Sequence, residues 1–174
     1  MWTRARCSRQ RGEMRNAMRN SNQSVQDGLQ HTLTQMNKLD ASSVKRFDMK
    51  FETEGLDCTN CRFDVELDPN KANGIKYLEY KSYKDASGIQ LSQFKSYMGS
   101  IKKLSELNYI FNGTKLSLEN AKAGLKTFFN KGNNKQEIFN AMDNDLRQSL
   151  NLDDFSDLTS GKIDQIINVI VKTT

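Results

Sequence analysis

The 174-residue sequence predicts an α/β (α+β) fold in which a mixed central sheet is flanked by helices and followed by additional C-terminal helices. Three observations lead there. Apolar spacing switches from three or four residues to two and back again, a Pro-Asn…Asn-Gly turn separates two alternating segments, and three more helical stripes close the chain. With 36% hydrophobic residues the chain supports one modest core, so residues 23–174 are expected to form a single domain behind an N-terminal arm of residues 1–22.

The elements follow in order. Val25, Leu29, Leu33, Met36 and Leu39 define a first helix over 24–39 with one apolar stripe. Phe47, Met49 and Phe51 alternate with Asp48, Lys50 and Glu52, which predicts a first strand within 44–54. Phe63, Val65 and Leu67 alternate with Asp64, Glu66 and Asp68 in a second strand. The turn from Pro69 to Gly74 then reverses the chain, so that 75–83 pairs antiparallel with it. Leu91, Phe94, Met98, Ile101 and Leu104 return to helical spacing, and Leu107–Phe111 is a fourth strand. The resulting helix, three strands, helix, strand order occupies 24–111. A helical extension over 114–172 carries stripes at Leu118, Ala121, Leu125 and Phe128; at Ile138, Met142, Leu146 and Leu150; and at Ile163, Ile166, Ile167 and Ile170.

Charge is unevenly placed. The net charge is +5, and six arginines against one acid stand in residues 1–20, leaving 20 basic and 20 acidic side chains in the remainder. The body's charge therefore gives no support for nucleic acid, and the basic signal belongs to the arm. No run approaches the roughly 18 apolar residues of a membrane span, and the Arg-rich start lacks the apolar stretch of a secretory signal.

The chemistry gathers on the second hairpin strand. A period of two puts Glu79 and Lys81 on one face, roughly 6.5–7 Å apart along the strand, together with Ile75, Tyr77 and Tyr83. The neighbouring antiparallel strand offers Asp64, so two carboxylates and a lysine converge at one end of the sheet. Such a cluster suits a hard divalent cation, which takes oxygen ligands and lowers the pKa of bound water. An acid and a lysine two apart on a strand are also commonly just its solvated face. Here the apolar neighbours argue for burial, which demands a partner or a metal. In the helix that follows, Gln93 and Tyr97 stand one turn apart and share a face.

Asp64, Glu79-x-Lys81 fifteen residues later and Gln93-x-x-x-Tyr97 together resemble the D…(D/E)xK…QxxxY motif set of RecB-type nucleases in the PD-(D/E)xK, restriction-endonuclease-like superfamily. The order of elements over 24–111 is similar to that family's core. The resemblance implies a phosphodiesterase acting on nucleic acid, DNA ahead of RNA, with Mg²⁺ or Mn²⁺ as cofactor. Asp64 and Glu79 would ligate the metal with the Tyr80 carbonyl as a further ligand, Lys81 would be the catalytic lysine, and Gln93 and Tyr97 would orient the site or touch the substrate backbone. Glu66 is the substitute for Asp64 if the register differs. The compact format also resembles toxin modules of bacterial polymorphic systems, which implies non-Sec delivery into a target cell, a cytoplasmic site of action and an immunity protein as partner.

Two features stand apart. RecB-type domains often carry a histidine ligand on the first helix, and His31 is the only histidine, but it falls about 140° from the centre of the apolar stripe and is expected to face away from the sheet. Cys58 and Cys61 form a C-x-x-C for which only Cys7 and His31 remain as further zinc ligands, so two free thiols are the default reading, with a redox pair or disulfide outside the cytosol as the alternative. A rival from another class is a catalytically silent module whose Arg-rich arm binds nucleic acid or an acidic protein.

Overall fold

The computed structural model describes residues 23–50 and 62–174. The Arg-rich arm, the continuation of the first strand through Phe51 and Glu52, and Cys7, Cys58 and Cys61 lie outside the described residues. The elements are α1 (Gln23–Met36), β1 (Val44–Lys50), β2 (Arg62–Leu67), β3 (Tyr77–Lys81), α2 (Leu91–Met98), β4 (Leu107–Phe111), α3 (Leu118–Phe129), α4 (Asn134–Ala141), α5 (Asn144–Ser149), α6 (Ser160–Ile170) and β5 (Val171–Thr173).

The strands form one mixed sheet in the order β1-β2-β3-β4-β5. β1 and β2 pair antiparallel, as do β2 and β3, whereas β3, β4 and β5 run parallel. The β2–β3 reversal is the anticipated turn, in which Asn73 (φ 52°) and Gly74 (φ 84°) adopt left-handed backbone. Asparagine and glycine are the residues that tolerate that region. Joining the parallel strands β3 and β4 requires a crossover, and α2 supplies it.

Each face of the sheet has its own core. On one, Tyr77, Tyr109 and Phe111 pack with Phe94, Tyr97 and Met98 of α2 and with the buried stripes of α3, α4, α5 and α6. On the other, Val65, Leu67, Leu78 and Tyr80 are covered by Met36, Leu39, Val44, Phe47, Ala72, Ile75 and Ile110. The C-terminal helices are thus a second layer on the first face, and α3, α5 and α6 are capped at their starts by the side chains of Ser117, Asp143 and Thr159.

Several sequence expectations are corrected. Ile75 precedes β3 and packs on the Val65 face rather than beside Glu79. Phe63 leaves the Val65–Leu67 face and joins the larger core, stacked on Tyr77 at 3.9 Å between ring centroids. The single stripe through Ile138 and Leu150 is two helices, because Met142 is extended and the Asp143 side chain caps a new start by accepting from the Asp145 N–H. Leu118 is 38% exposed and the buried aromatic neighbour of Phe128 is Phe129. The C-terminal extension is not wholly helical: β-branched Val171 ends α6 and begins β5, which pairs with β4. No helix among the described residues is long and apolar enough to cross a membrane.

Candidate active site

All five residues of β3 are buried, and the strand sits between β2 and β4, so its alternation delivers Tyr77, Glu79 and Lys81 to the α2 face and Leu78 and Tyr80 to the α1 face. Glu79 is 2% and Lys81 7% exposed. Ionised groups at such depth require partners, and these are present. Lys81 Nζ lies 2.5 Å from Glu79 Oε1 and donates to Gln93 Oε1 at 2.8 Å. The rings of Tyr83, Tyr109 and Tyr97 surround the ammonium, with centroids 5.7, 5.8 and 6.0 Å away, close enough for cation–π attraction.

The parallel register sets Glu79 opposite Tyr109 and Lys81 opposite Phe111. Across the other edge, Val65 pairs with Leu78 and Glu66 with Tyr77. One step further along β2, the carboxylate of Asp64 takes over from the backbone ladder, its Oδ2 accepting the Tyr80 N–H at 2.7 Å. This substitution fixes Asp64 beside β3 at the level of Glu79. Glu66, the alternative to it, accepts from Arg46 Nε at 2.6 Å.

Electrostatics follow from this packing. Burial alone would depress the Lys81 ammonium, but the Glu79 carboxylate with Tyr109 and Tyr83 reverses that, and its pKa is raised. Burial, then the Glu79 carboxylate, raises the Tyr97 hydroxyl well above its ordinary range. Tyr109 is raised by burial against the opposing pull of Lys81, and Tyr80, on the other face, is pushed up to about 12 by burial and then by Asp64. At neutral pH Lys81 is therefore an ammonium, and the Tyr97 and Tyr109 phenols are protonated.

The residues singled out from the sequence thus meet: Glu79, Lys81, Gln93 and Tyr97 on one face, and Asp64 alongside. Glu79 Oε2 is buried and accepts no hydrogen bond among the described residues, a costly state that a cation would relieve. Asp64 and Glu79 offer only hard oxygen donors, and among the described residues no three His, Cys, Asp or Glu converge. Two carboxylates with solvent or substrate completing the shell is the pattern magnesium accepts, so the donor set fits.

His31 departs from expectation. It is 7% exposed and packs edge-on to Tyr80, 5.9 Å between centroids, on the face of the sheet opposite Glu79. Helix α1 is turned so that Asp27, on the His31 side, pairs with Lys115 at 2.7 Å, while Leu29 and Leu33 are only half-buried. The stripe marks the wrong centre because the polar side of α1 also has a polar surface to meet. Tyr83 lies beside Lys81 as the period of two predicts, whereas Tyr109, which helps enclose it, is not singled out by the sequence. The available signal was the alternation of Leu107, Tyr109 and Phe111, which becomes informative only once β4 is known to lie beside β3. Compared with family models, curated proteins and solved structures, the chain matches none.

Proposed function

We propose that the protein is a Mg²⁺- or Mn²⁺-dependent nuclease of the PD-(D/E)xK type, hydrolysing phosphodiester bonds, DNA ahead of RNA. The observation that carries this reading is the meeting of Lys81 with both Glu79 and Gln93, beside Asp64, with a carboxylate oxygen of Glu79 left buried and unbonded. The helix, three strands, helix, strand order supports a restriction-endonuclease-like core.

In this reading Asp64 and Glu79 hold the metal, which supplies activation of a water and charge neutralisation at the phosphate; the Tyr80 carbonyl remains the candidate third ligand. Lys81, kept as an ammonium by Glu79, stabilises negative charge on the phosphoryl oxygens. Gln93 holds Lys81 in place, and the Tyr97 ring packs over the same ammonium. The proposal extends to a toxin delivered into a target cell and opposed by an immunity protein; expression of the wild type, and not of Asp64→Asn, should then arrest a bacterial host.

The test is a digestion panel of double-stranded DNA, single-stranded DNA and RNA with Mg²⁺, Mn²⁺ or EDTA, using Asp64→Asn, Gln93→Ala and Lys81→Met. Asp64→Asn is the cleanest variant, because an amide oxygen can still accept the Tyr80 N–H. It should abolish cleavage while circular dichroism stays native, and Mg²⁺ should raise the melting temperature of the wild type but not of this variant. Cleavage that persists in EDTA, or in folded Asp64→Asn, sinks the reading.

One observation favours a second reading. Glu79 and Lys81 are so nearly inaccessible that they also suit a purely structural ion pair in a binding module that uses its Arg-rich arm. That reading requires salt-sensitive nucleic-acid binding without cleavage, lost when residues 1–22 are removed.

A further inference from the structure

A cavity of about 470 Å³ opens between α1 and the turn that follows β4. It lies at the carboxyl ends of β3 and β4, where loops part and open α/β sheets commonly take ligands. Its wall includes His31, Gln35 and Lys38 from α1, and Asn112 and Lys115 from the turn. Three features single it out from an ordinary surface dent.

The first is His31. Its ring is more than nine-tenths buried, and Nε2 has no hydrogen-bond partner among the described residues, a state that buried polar atoms seldom keep. The second is uncommitted positive charge. Lys38 makes no ion pair among the described residues, and Lys115, though paired with Asp27 at 2.7 Å, keeps two of its three N–H donors. The third is a fixed rim. Asn112 Oδ1 accepts the Thr114 N–H at 3.1 Å and its hydroxyl at 2.7 Å, and the Asn112 N–H donates to the Lys81 carbonyl at 2.8 Å. The turn that carries Lys115 is thereby tied to the strand that carries Glu79 and Lys81.

We propose that this cavity is a phosphate-binding site, in which Lys38 and Lys115 clamp the anion beside the His31 ring. A neutral sugar or apolar ligand would leave the Lys38 ammonium and the remaining Lys115 donors unused, whereas a tetrahedral oxyanion accepts several charged donors at once. The phosphate belongs either to a nucleic-acid backbone crossing the edge of the sheet or to a free small anion. The proposal stands on its own residues and does not require the Asp64 centre to cleave anything.

The single histidine provides the probe. Its imidazole signals are followed by NMR in EDTA, so that no cleavage intervenes, while inorganic phosphate or a short single-stranded deoxyoligonucleotide is added. Both probes should shift the ring signals saturably. Phosphate should also raise the titration midpoint of the ring, which otherwise faces Asp27 and Lys38 on α1, Lys115 from the turn and Tyr80 from β3. Lys38→Ala should weaken the response roughly tenfold, and Lys45→Ala, an exposed lysine on β1, should leave it unchanged. Saturation at lower phosphate concentration with the oligonucleotide assigns the site to a backbone, and equal concentrations assign it to free phosphate. Ring signals indifferent to both probes up to tens of millimolar, or equally responsive in Lys38→Ala, overturn the proposal. Because the readout is binding at His31, its failure is separate from failure of the digestion panel.

Discussion

The two faces of the sheet are built on opposite terms. The α2 face buries a continuous core running from Phe63 through the C-terminal helices, and into that apolar mass it admits Glu79 and Lys81. The α1 face has a core of four buried residues, Val65, Leu67, Leu78 and Tyr80, and its helix turns a polar side to the sheet edge, with His31 packed on Tyr80 and Asp27 bound to Lys115. A large apolar core can hold a pair of charges in fixed geometry because its packing leaves them no alternative position. A thin one leaves room for a cavity with polar walls.

The largest effect should come from splitting the buried pair. Glu79→Leu strands the Lys81 ammonium, and the stability measured by urea denaturation should drop by about 3–5 kcal/mol. The double variant Glu79→Leu/Lys81→Met should recover most of that loss, since two apolar side chains of similar volume suit this core. Failure of the double variant to recover would mean that the pair contributes to the fold beyond its mutual neutralisation.

Truncation on each face tests the contrast directly. Phe94 is fully buried and meets Phe129, Phe128 and Tyr109 edge-on at 5.5, 5.6 and 5.9 Å, so Phe94→Ala should cost about 3–5 kcal/mol. Met36, half-buried on α1, should cost roughly 1–2 kcal/mol when cut to Ala. Equal losses would erase the distinction between a thick and a thin face. A comparable effect is expected at Gly124, where α3 meets the turn at Ala86: a Cβ there would stand 2.1 Å from Ala86 Cβ. Gly124→Ala gains helix propensity but forces the two segments apart, for a net loss of about 1–3 kcal/mol in the same assay.

These contrasts also explain what was legible beforehand. Alternation around Val65 identified β2, the Pro69–Gly74 turn placed β3 beside it, and with the spacing of Gln93 and Tyr97 this brought Glu79, Lys81 and Gln93 to one place, because turns and strand and helix periods are local properties of the chain. What failed was non-local. Phe63 changes face where the Asp64 carboxylate replaces the ladder, and no period records that. His31 is buried because Tyr80 and Lys115 come from elsewhere in the sequence to meet α1. β5 is three residues long and directly follows a helix, too short for any alternation to register. The closure of Tyr109 over Lys81 depends on which strand lies next to β3, and that is decided by the crossover through α2.

The smallest effect concerns pH, and it belongs to the thin face alone. Burial first, and then Lys115 and Lys38, lower the His31 pKa below its ordinary value of 6.5. In the unfolded chain the imidazole takes up a proton as pH falls through about 6.5, whereas the native ring still resists it. The unfolded state then binds more protons, so stability falls with pH from that point until the native ring also titrates. The exposed carboxylates of Asp40, Asp85 and Asp154, held below their ordinary value of 3.8 by neighbouring serines, stabilise the fold above that value and lose their contribution only in stronger acid. The two windows are therefore separable. His31→Gln should flatten the dependence of the urea midpoint on pH between about 6.5 and 5 and leave acid unfolding below pH 4 in place. An unchanged slope in the upper window would mean that the ring is as open to protons in the native protein as in the unfolded one.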